Sequence, residues 1–373
     1  MATRLRSFSK INLGLRIGPV RPDGFHDLAT MYQTLALHDS VTVSARRLER
    51  GEPTRMGLTT DHPRVPVDGH NTAWQMVERV LTALGVTAEV AIQIEKRLPV
   101  QGGMGAGSAN AAAALIALER ELSLWDVPAP ELPEAERLRL AAEVGSDVPL
   151  FLVGGAVLGG GRGELVSPMP DLTLRSQASG MSVAAGIPCV VAVPKVGVST
   201  PFAFREWDAR RASEAELTRS PARDRLDELS LAYSFAYRLS AGEGGRPGTS
   251  GIVGDQDPDW TSLVRDMGSS DDLAGNSLLA LVHTGIENDF EAVVFPYHPS
   301  LGETKRLLMG EDSGRPAVYA ALSGSGSALF GLYRSGEDAR AAQQRVQGSG
   351  TEAILTETLA RREYWTRMFA DVG

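Results

Sequence analysis

Apolar and polar residues alternate from residue 5 to residue 17. Ile11, Leu13, Leu15 and Ile17 fall on one face, and Lys10, Asn12 and Arg16 on the other. A period of two predicts a strand with a polar working face. Arg21-Pro-Asp-Gly is turn chemistry, and strands are predicted at 28–37 and 40–45. Residues 46–71 are polar and contain proline, which predicts a loop. From 71 to 85 the period changes. Trp74, Val77, Val80, Leu81 and Leu84 recur at helical spacing, and Gly85 closes the helix. Alternation returns at 90–98. Helices are predicted at 111–122, where alanine dominates, and at 134–144. Asp147 is placed to cap a short helix with Pro149 in its first turn. Residues 154–163 fit a strand–turn–strand.

Around 168–187 the composition shifts to serine, glycine and polar residues. A domain boundary there gives units at 1–172 and 186–373. The second unit reads as a strand at 190–193, a helix opened by Thr200-Pro201, an amphipathic helix at 226–239 and helices at 287–294 and 301–309. Strands at 318–322 and 328–333 follow, with last elements at 337–346 and 352–359. Residues 213–275 are the least regular part and read as a surface insertion. Strand–strand–helix units followed by separated strands and helices predict an α+β fold rather than a doubly wound sheet.

Composition narrows the function. Of 373 residues, 43% are apolar and 22% charged, an ordinary globular balance. The net charge of -9 argues against a dedicated nucleic-acid binder. Cys189 is the single cysteine, so there is no disulfide framework and no cysteine-based zinc site. No His-x-x-x-His pair exists, which removes the zincin option. The charge-free stretches 176–194 and 316–333 are interrupted by Ser, Gly and Pro, so no membrane span is expected. No apolar run follows Arg4, Arg6 and Lys10, so a secretory signal is not expected. A cytoplasmic location is the expectation.

Glycine, with 40 residues, is the compositional outlier, and its placement matters. Gly102, Gly103, Gly105 and Gly107 lie between a predicted strand and the alanine-rich helix. Free N–H groups at a helix start, with glycines that let the backbone fold round an anion, make a phosphate cradle. Ser108 adds a hydroxyl for a phosphate oxygen or a metal. The bland alternative is a flexible loop whose Ser108 caps a structural helix. No lysine follows a glycine, so the loop is not a Walker loop, and no Gly-x-Gly-x-x-Gly occurs. Phosphoryl transfer also needs a cation near the transferred group and a carboxylate for the attacking hydroxyl. Lys10 and Asp147 form such a pair if the fold brings them together. Phe25-His26 is suited to stacking on a base. Ser323-Gly-Ser-Gly-Ser is a tight turn or an anion-binding nest.

Lys10-Ile-Asn-Leu-Gly-Leu, Arg21-Pro-Asp-Gly-Phe-His, Lys96-Arg-Leu-Pro with the loop 102–110, Ser146-Asp-Val-Pro and residues 323–327 occur in this order. Together they resemble the GHMP kinase superfamily over about residues 4–205 and 276–335. The Lys10 block and the Phe25-His26 turn point within it to kinases of a cytidine diphosphate-linked alcohol. The resemblance implies an N-terminal domain like ribosomal protein S5 domain 2 and a ferredoxin-like C-terminal domain. It implies ATP-dependent phosphorylation, with Mg²⁺, of the 2-hydroxyl of a cytidine diphosphate-linked methylerythritol in non-mevalonate isoprenoid synthesis. Lys10 and Asp147 would be the catalytic pair. Asn12, Phe25, His26 and Phe204 would contact that substrate. Asn71, Lys96, Gly103, Gly105, Ala106, Gly107, Ser108, Ser323, Gly324, Ser325 and Gly326 would form the ATP site, with Ser108 as a metal ligand. No nucleic acid or membrane partner is implied, and the protein would be a monomer or homodimer.

The chain departs from the family pattern in four ways. Phe25 stands where Tyr is usual, Ala109 where a second Ser is usual, and the third motif is rich in Ser rather than Thr. The block at 213–275 and the tail after Arg361 are extra. Two alternatives remain at this level: another GHMP kinase, acting on mevalonate, homoserine or a sugar, and an inactive nucleotide sensor. The Phe25-His26 turn weighs against the first, and the retained Lys10 and Asp147 against the second.

Overall fold

Two long strands organise the first half of the chain. In the computed structural model, which describes residues 2–49, 51–100, 102–175, 182–183, 186–215, 226 and 276–369, β1 (Thr3–Val20) and β2 (His26–Arg47) pair antiparallel. The two strands expected at 28–37 and 40–45 are one continuous strand. Its two halves serve different neighbours. Thr30–Gln33 pairs with β5 (Ala156–Gly160) and Ser40–Arg47 with β4 (Ala88–Glu95). β6 (Leu165–Pro168) closes one edge and β3 (Arg55–Thr60) the other.

β3 lies inside the stretch read as loop. Only Leu58 of its six residues is buried, so no alternating pattern marks it. It runs parallel to β4 across α1 (Thr72–Leu84). α1 matches expectation closely: Asn71 caps its start through Ala73 N–H at 2.9 Å, and Gly85 ends it in the left-handed region. α2 (Ala106–Ser123) begins inside the glycine loop, five residues before the predicted helix. Its alanines from 111 to 114 and Ala117 are buried beside β1, β2 and α1. Such small side chains let the helix backbone approach the sheet closely. α3 (Glu134–Val144) has the predicted bounds.

A two-residue hairpin, β7 (Leu174–Arg175) with β8 (Ser182–Val183), precedes the second sheet. That sheet is built from β9 (Pro188–Val193), β10 (Tyr319–Leu322), β11 (Leu329–Leu332) and β12 (Glu352–Glu357) in the order β10-β11-β9-β12, all antiparallel. Between β9 and β10 come α4 (Thr200–Ala215), α5 (Ser277–His283), α6 (Glu291–Tyr297) and α7 (Pro299–Met309). α8 (Gly336–Gly348) lies between β11 and β12. This β-α-β-β-α-β order with β9 and β11 central is the ferredoxin-like arrangement. Beyond residues 213–215 and Leu226, the insertion read at 213–275 and the helix read at 226–239 fall outside the described residues.

The last helix, α9 (Arg361–Met368), has no counterpart in the pattern reading. It returns to the first unit. Tyr364 is buried there and donates to Phe151 O at 2.7 Å, and Arg361 binds the carbonyls of Gly154 and Ala156. The two sheets also share a core. Ile11, Leu13, Met31 and Leu35 pack with Cys189, Val191, Phe330 and Leu332, and Met104 of the glycine loop is in the same cluster. Loops from both units are therefore held over one place.

Candidate active site

The polar face of β1 is internal. Lys10 is 3% exposed and Asn12 2%, because the glycine loop and the second sheet cover the strand. The backbone N–H of Lys10 donates to Met104 O at 3.1 Å. The lysine stem runs beneath the start of α2, where a Cβ on Gly105 would stand 3.1 Å from Lys10 Cγ. The ammonium emerges 3.1 Å from Asp147 Oδ2 and donates to Asn12 Oδ1 at 2.7 Å. Asn12 Nδ2 donates to Thr30 Oγ1 at 2.7 Å, and Thr30 in turn to Gly14 O at 3.0 Å. Pairing and hydrogen bonding of this kind offset the cost of burying a cation.

Asp147 does not cap a helix. The short 3-10 turn Pro149–Leu152 has Val148 at its N-cap position and no side-chain cap. The carboxylate instead accepts from Tyr32 Oη at 2.9 Å through Oδ1 while Lys10 faces Oδ2. Burial, and next the charge of Asp147, push the Tyr32 hydroxyl well above its ordinary range, so it stays protonated.

The glycine loop leads directly into α2. Gly105 is the N-cap and offers no side chain, so the first-turn N–H groups keep no side-chain acceptor. Ser108 is the third helical residue, not a cap. Thr72 Oγ1 donates to Gly107 O at 2.7 Å and ties α1 to the loop. The 323–327 turn arrives from the second sheet. Ser323 Oγ donates to Gly103 O at 2.9 Å, and a Cβ on Gly324 would lie 3.4 Å from Asn12 Oδ1. Asn288 fixes this turn by donating to the carbonyls of Leu322 and Gly324, both at 2.8 Å. Thr200 and Ser325 hydroxyls are 2.8 Å apart. Lys10, Asp147, the loop and the turn thus converge, which the sequence left conditional.

Other expected residues sit around this centre. Asn71 uses both amide atoms inside the fold, on Ala73 N–H and Pro66 O. Lys96 pairs with Asp39, and both side chains are buried. Asp39 also accepts from the N–H groups of Arg97 and Leu98, each at 2.8 Å. Phe25 is 53% exposed, with the Arg162 guanidinium 4.8 Å from its ring centre. His26 is buried, its Nδ1 3.1 Å from Gly18 O and its Nε2 3.2 Å from Asp208 Oδ1. The Phe204 ring stacks directly on His26 with centroids 4.9 Å apart. A base between two rings needs about 7 Å, two gaps of about 3.5 Å. Those two rings therefore do not sandwich one in this conformation.

Pattern reasoning passed over Tyr32, Thr30 and Asn288. A signal was present for the first two. Thr30, Tyr32 and Thr34 repeat at i, i+2, i+4 in the middle of the strand, and all three are buried. Buried polar groups in a strand centre need partners. Asn288 had no such signal, since its role depends on which loop folds against it.

The GHMP kinases N terminal domain model matches residues 71–155, and the GHMP kinases C terminal model matches 267–351. A 4-diphosphocytidyl-2-C-methyl-D-erythritol kinase from Synechococcus sp. (strain JA-2-3B'a(2-13)) is 32% identical over 377 residues, covering 100% of this chain and 95% of the relative. The crystal structure of a 4-(cytidine 5'-diphospho)-2C-methyl-D-erythritol kinase aligns with TM-score 0.57 at 25% identity, over 96% of this chain and 99% of that one. A homoserine kinase from Cytophaga hutchinsonii aligns with TM-score 0.58 at 18% identity, over 96% and 95%. The shared fold does not separate these two kinases; sequence identity over the full length does. The chain belongs to the GHMP kinases and, within them, to the 4-diphosphocytidyl-2-C-methyl-D-erythritol kinase family.

Proposed function

We propose that this protein transfers the γ-phosphoryl group of ATP to the 2-hydroxyl of 4-diphosphocytidyl-2-C-methyl-D-erythritol, a step of non-mevalonate isoprenoid precursor synthesis. The observation that carries the reading is the Lys10–Asp147 pair, 3.1 Å apart beneath the start of α2. The alcohol oxygen attacks the γ-phosphorus, its proton passes to Asp147, and the bond to the bridging oxygen breaks to release ADP. Lys10 offsets the negative charge that spreads over the transferred group. Asn12 holds the Lys10 ammonium at the substrate end.

The phosphates lie against the backbone N–H groups of Gly103, Gly105, Ala106, Gly107 and Ser108, with the Ser323, Gly324, Ser325 and Gly326 turn closing the other side. Asn71 and Lys96 serve the ATP side by fixing the segments that flank the loop. Among the described residues no three His, Cys, Asp or Glu side chains gather as a metal cluster. A hard cation held mainly by phosphate oxygens and water suits such a site. Ser108 would supply the protein oxygen for Mg²⁺, which when bound offsets phosphate charge. The cytosine stacks on exposed Phe25, with the His26–Phe204 pair beside it. The missing tyrosine hydroxyl at position 25 leaves stacking intact. The reading includes a cytoplasmic enzyme, monomer or homodimer; the buried lone Cys189 is in keeping with a reducing compartment. Among the described residues no helix is long and apolar enough to cross a membrane.

The test is ADP release with ATP and a panel of acceptors: the cytidine-linked alcohol, mevalonate, homoserine and a sugar. Preference for the first is expected. Preference for another acceptor would replace the substrate, and ATP binding without transfer would replace the enzyme by a sensor. Asp147→Asn should lower kcat about 10²–10⁴-fold; full activity would remove the assigned base.

A further inference from the structure

We infer that Tyr32 is a positioning residue for the phosphoryl transfer: its hydroxyl locks the Asp147 carboxylate in the orientation in which it accepts the substrate proton. This rests on the proposed role of Asp147 as base.

Tyr32 stands in the middle of β2, opposite Asn12 on β1 and Val157 on β5. It is among the largest fully buried side chains of the described residues. A buried tyrosine needs a partner for its hydroxyl, and here that partner is Asp147 Oδ1 at 2.9 Å. The fold clears space for it at two glycines. A Cβ on Gly159 would lie 2.6 Å from Tyr32 Cε2, and one on Gly163 (φ 104°) 2.6 Å from the hydroxyl oxygen itself. Phenylalanine would fill the same space without the hydroxyl, so core packing alone does not call for a tyrosine.

The two carboxylate oxygens are held differently. Oδ2 faces the Lys10 ammonium at 3.1 Å, and Oδ1 receives the neutral hydroxyl. A cation and a hydroxyl donor from two strands fix the carboxylate plane, whereas Lys10 alone would let it rotate. The side chain is still 30% exposed, which leaves lone pairs toward the reacting alcohol. The tyrosine keeps its proton throughout: the alcohol proton ends on Asp147. Lys10 from β1 and Tyr32 from β2 are the charged and titratable groups in contact with this carboxylate among the described ion pairs and hydrogen bonds. Glu164, in the turn between β5 and β6, acts on the Tyr32 hydroxyl.

The experiment compares wild type, Tyr32→Phe and protein carrying 3-fluorotyrosine at position 32, a stronger donor. For Tyr32→Phe, kcat should fall about tenfold with both KM values within about twofold. The fluorinated protein keeps the donor to Asp147 Oδ1 and should retain the wild-type kcat. A merely structural tyrosine would lower the unfolding midpoint and leave kcat in place, and that result overturns the proposal. Asp147→Asn run alongside separates the two readings. An active Asp147→Asn protein removes the base and this proposal with it. An inactive one, beside a Tyr32→Phe protein of normal rate, removes this proposal alone.

Discussion

Gly103 is where the two halves of the site touch, and its substitution tests whether their contact matters. A Cβ built there lies 2.0 Å from the carbonyl oxygen of Ser323 and 3.0 Å from its carbon. An ordinary carbon–oxygen contact is about 3.3 Å, so Gly103→Ala must part the glycine loop from the 323–327 turn by about 1.3 Å. The backbone cannot absorb this by turning, because Gly103 sits at φ 75°, where an alanine itself costs about 1–2 kcal/mol. Separation also loses the Ser323–Gly103 hydrogen bond of 2.9 Å, about 1 kcal/mol more. The expected loss of stability is about 2–3 kcal/mol. The expected loss in kcat/KM is larger in effect, since about 1 Å of displacement between reacting groups can cost about 10²-fold. Steady-state ADP release measures the rate, and urea unfolding the stability. Gly102→Ala is the control within the same loop: its Cβ meets nothing nearer than Ala328 Cβ at 3.6 Å, so it should behave as wild type. A Gly103→Ala enzyme within about threefold of wild type in kcat/KM would refute the argument that the two loops act as one cradle.

Two further predictions concern the scaffold. Lys96→Met leaves the buried Asp39 carboxylate without its cation, and stability should fall by about 3–5 kcal/mol in urea unfolding; a loss under about 1 kcal/mol would mean the pair is dispensable. His38 is pushed below its ordinary value, first by burial, while the Ala36 carbonyl opposes this. The unfolded chain therefore takes up the proton first, and stability is present above about pH 6.5 and lost as pH falls through and below it. Unfolding at about pH 7.5 and about pH 5.5 should show this loss, and His38→Gln should flatten the difference. An unchanged slope in that variant would place the pH dependence elsewhere.

Hydrophobic periodicity was enough where an element has one buried and one exposed face. α1 shows this: Ala73, Met76, Val77, Val80 and Leu81 are buried, and Gly85 ends the helix where expected. The same logic failed at β3, which buries one residue of six, and at α2, whose first turn is made of glycine, alanine and serine and so carries no periodic signal. α9 escaped because its apolar residues, Tyr364 and Met368, face a sheet from the opposite end of the chain. Local pattern does not contain such a contact.

The sequence by itself determined the chemical inventory: a glycine loop before an alanine-rich helix, a lysine in a strand, a carboxylate beside a proline turn, and the order of motifs that marks the family. It did not determine what those groups do. Asp147 had a local role as helix cap and a distant role beside Lys10, and local sequence favours the first. Only the tertiary structure decided for the second, because the choice depends on β1, β2 and the Gly145–Pro149 turn meeting in three dimensions. The same holds for Tyr32, an ordinary strand residue until Gly163 leaves room for its hydroxyl. Residue types limit the available reactions, whereas distances of about 3 Å between groups far apart in the chain select among them.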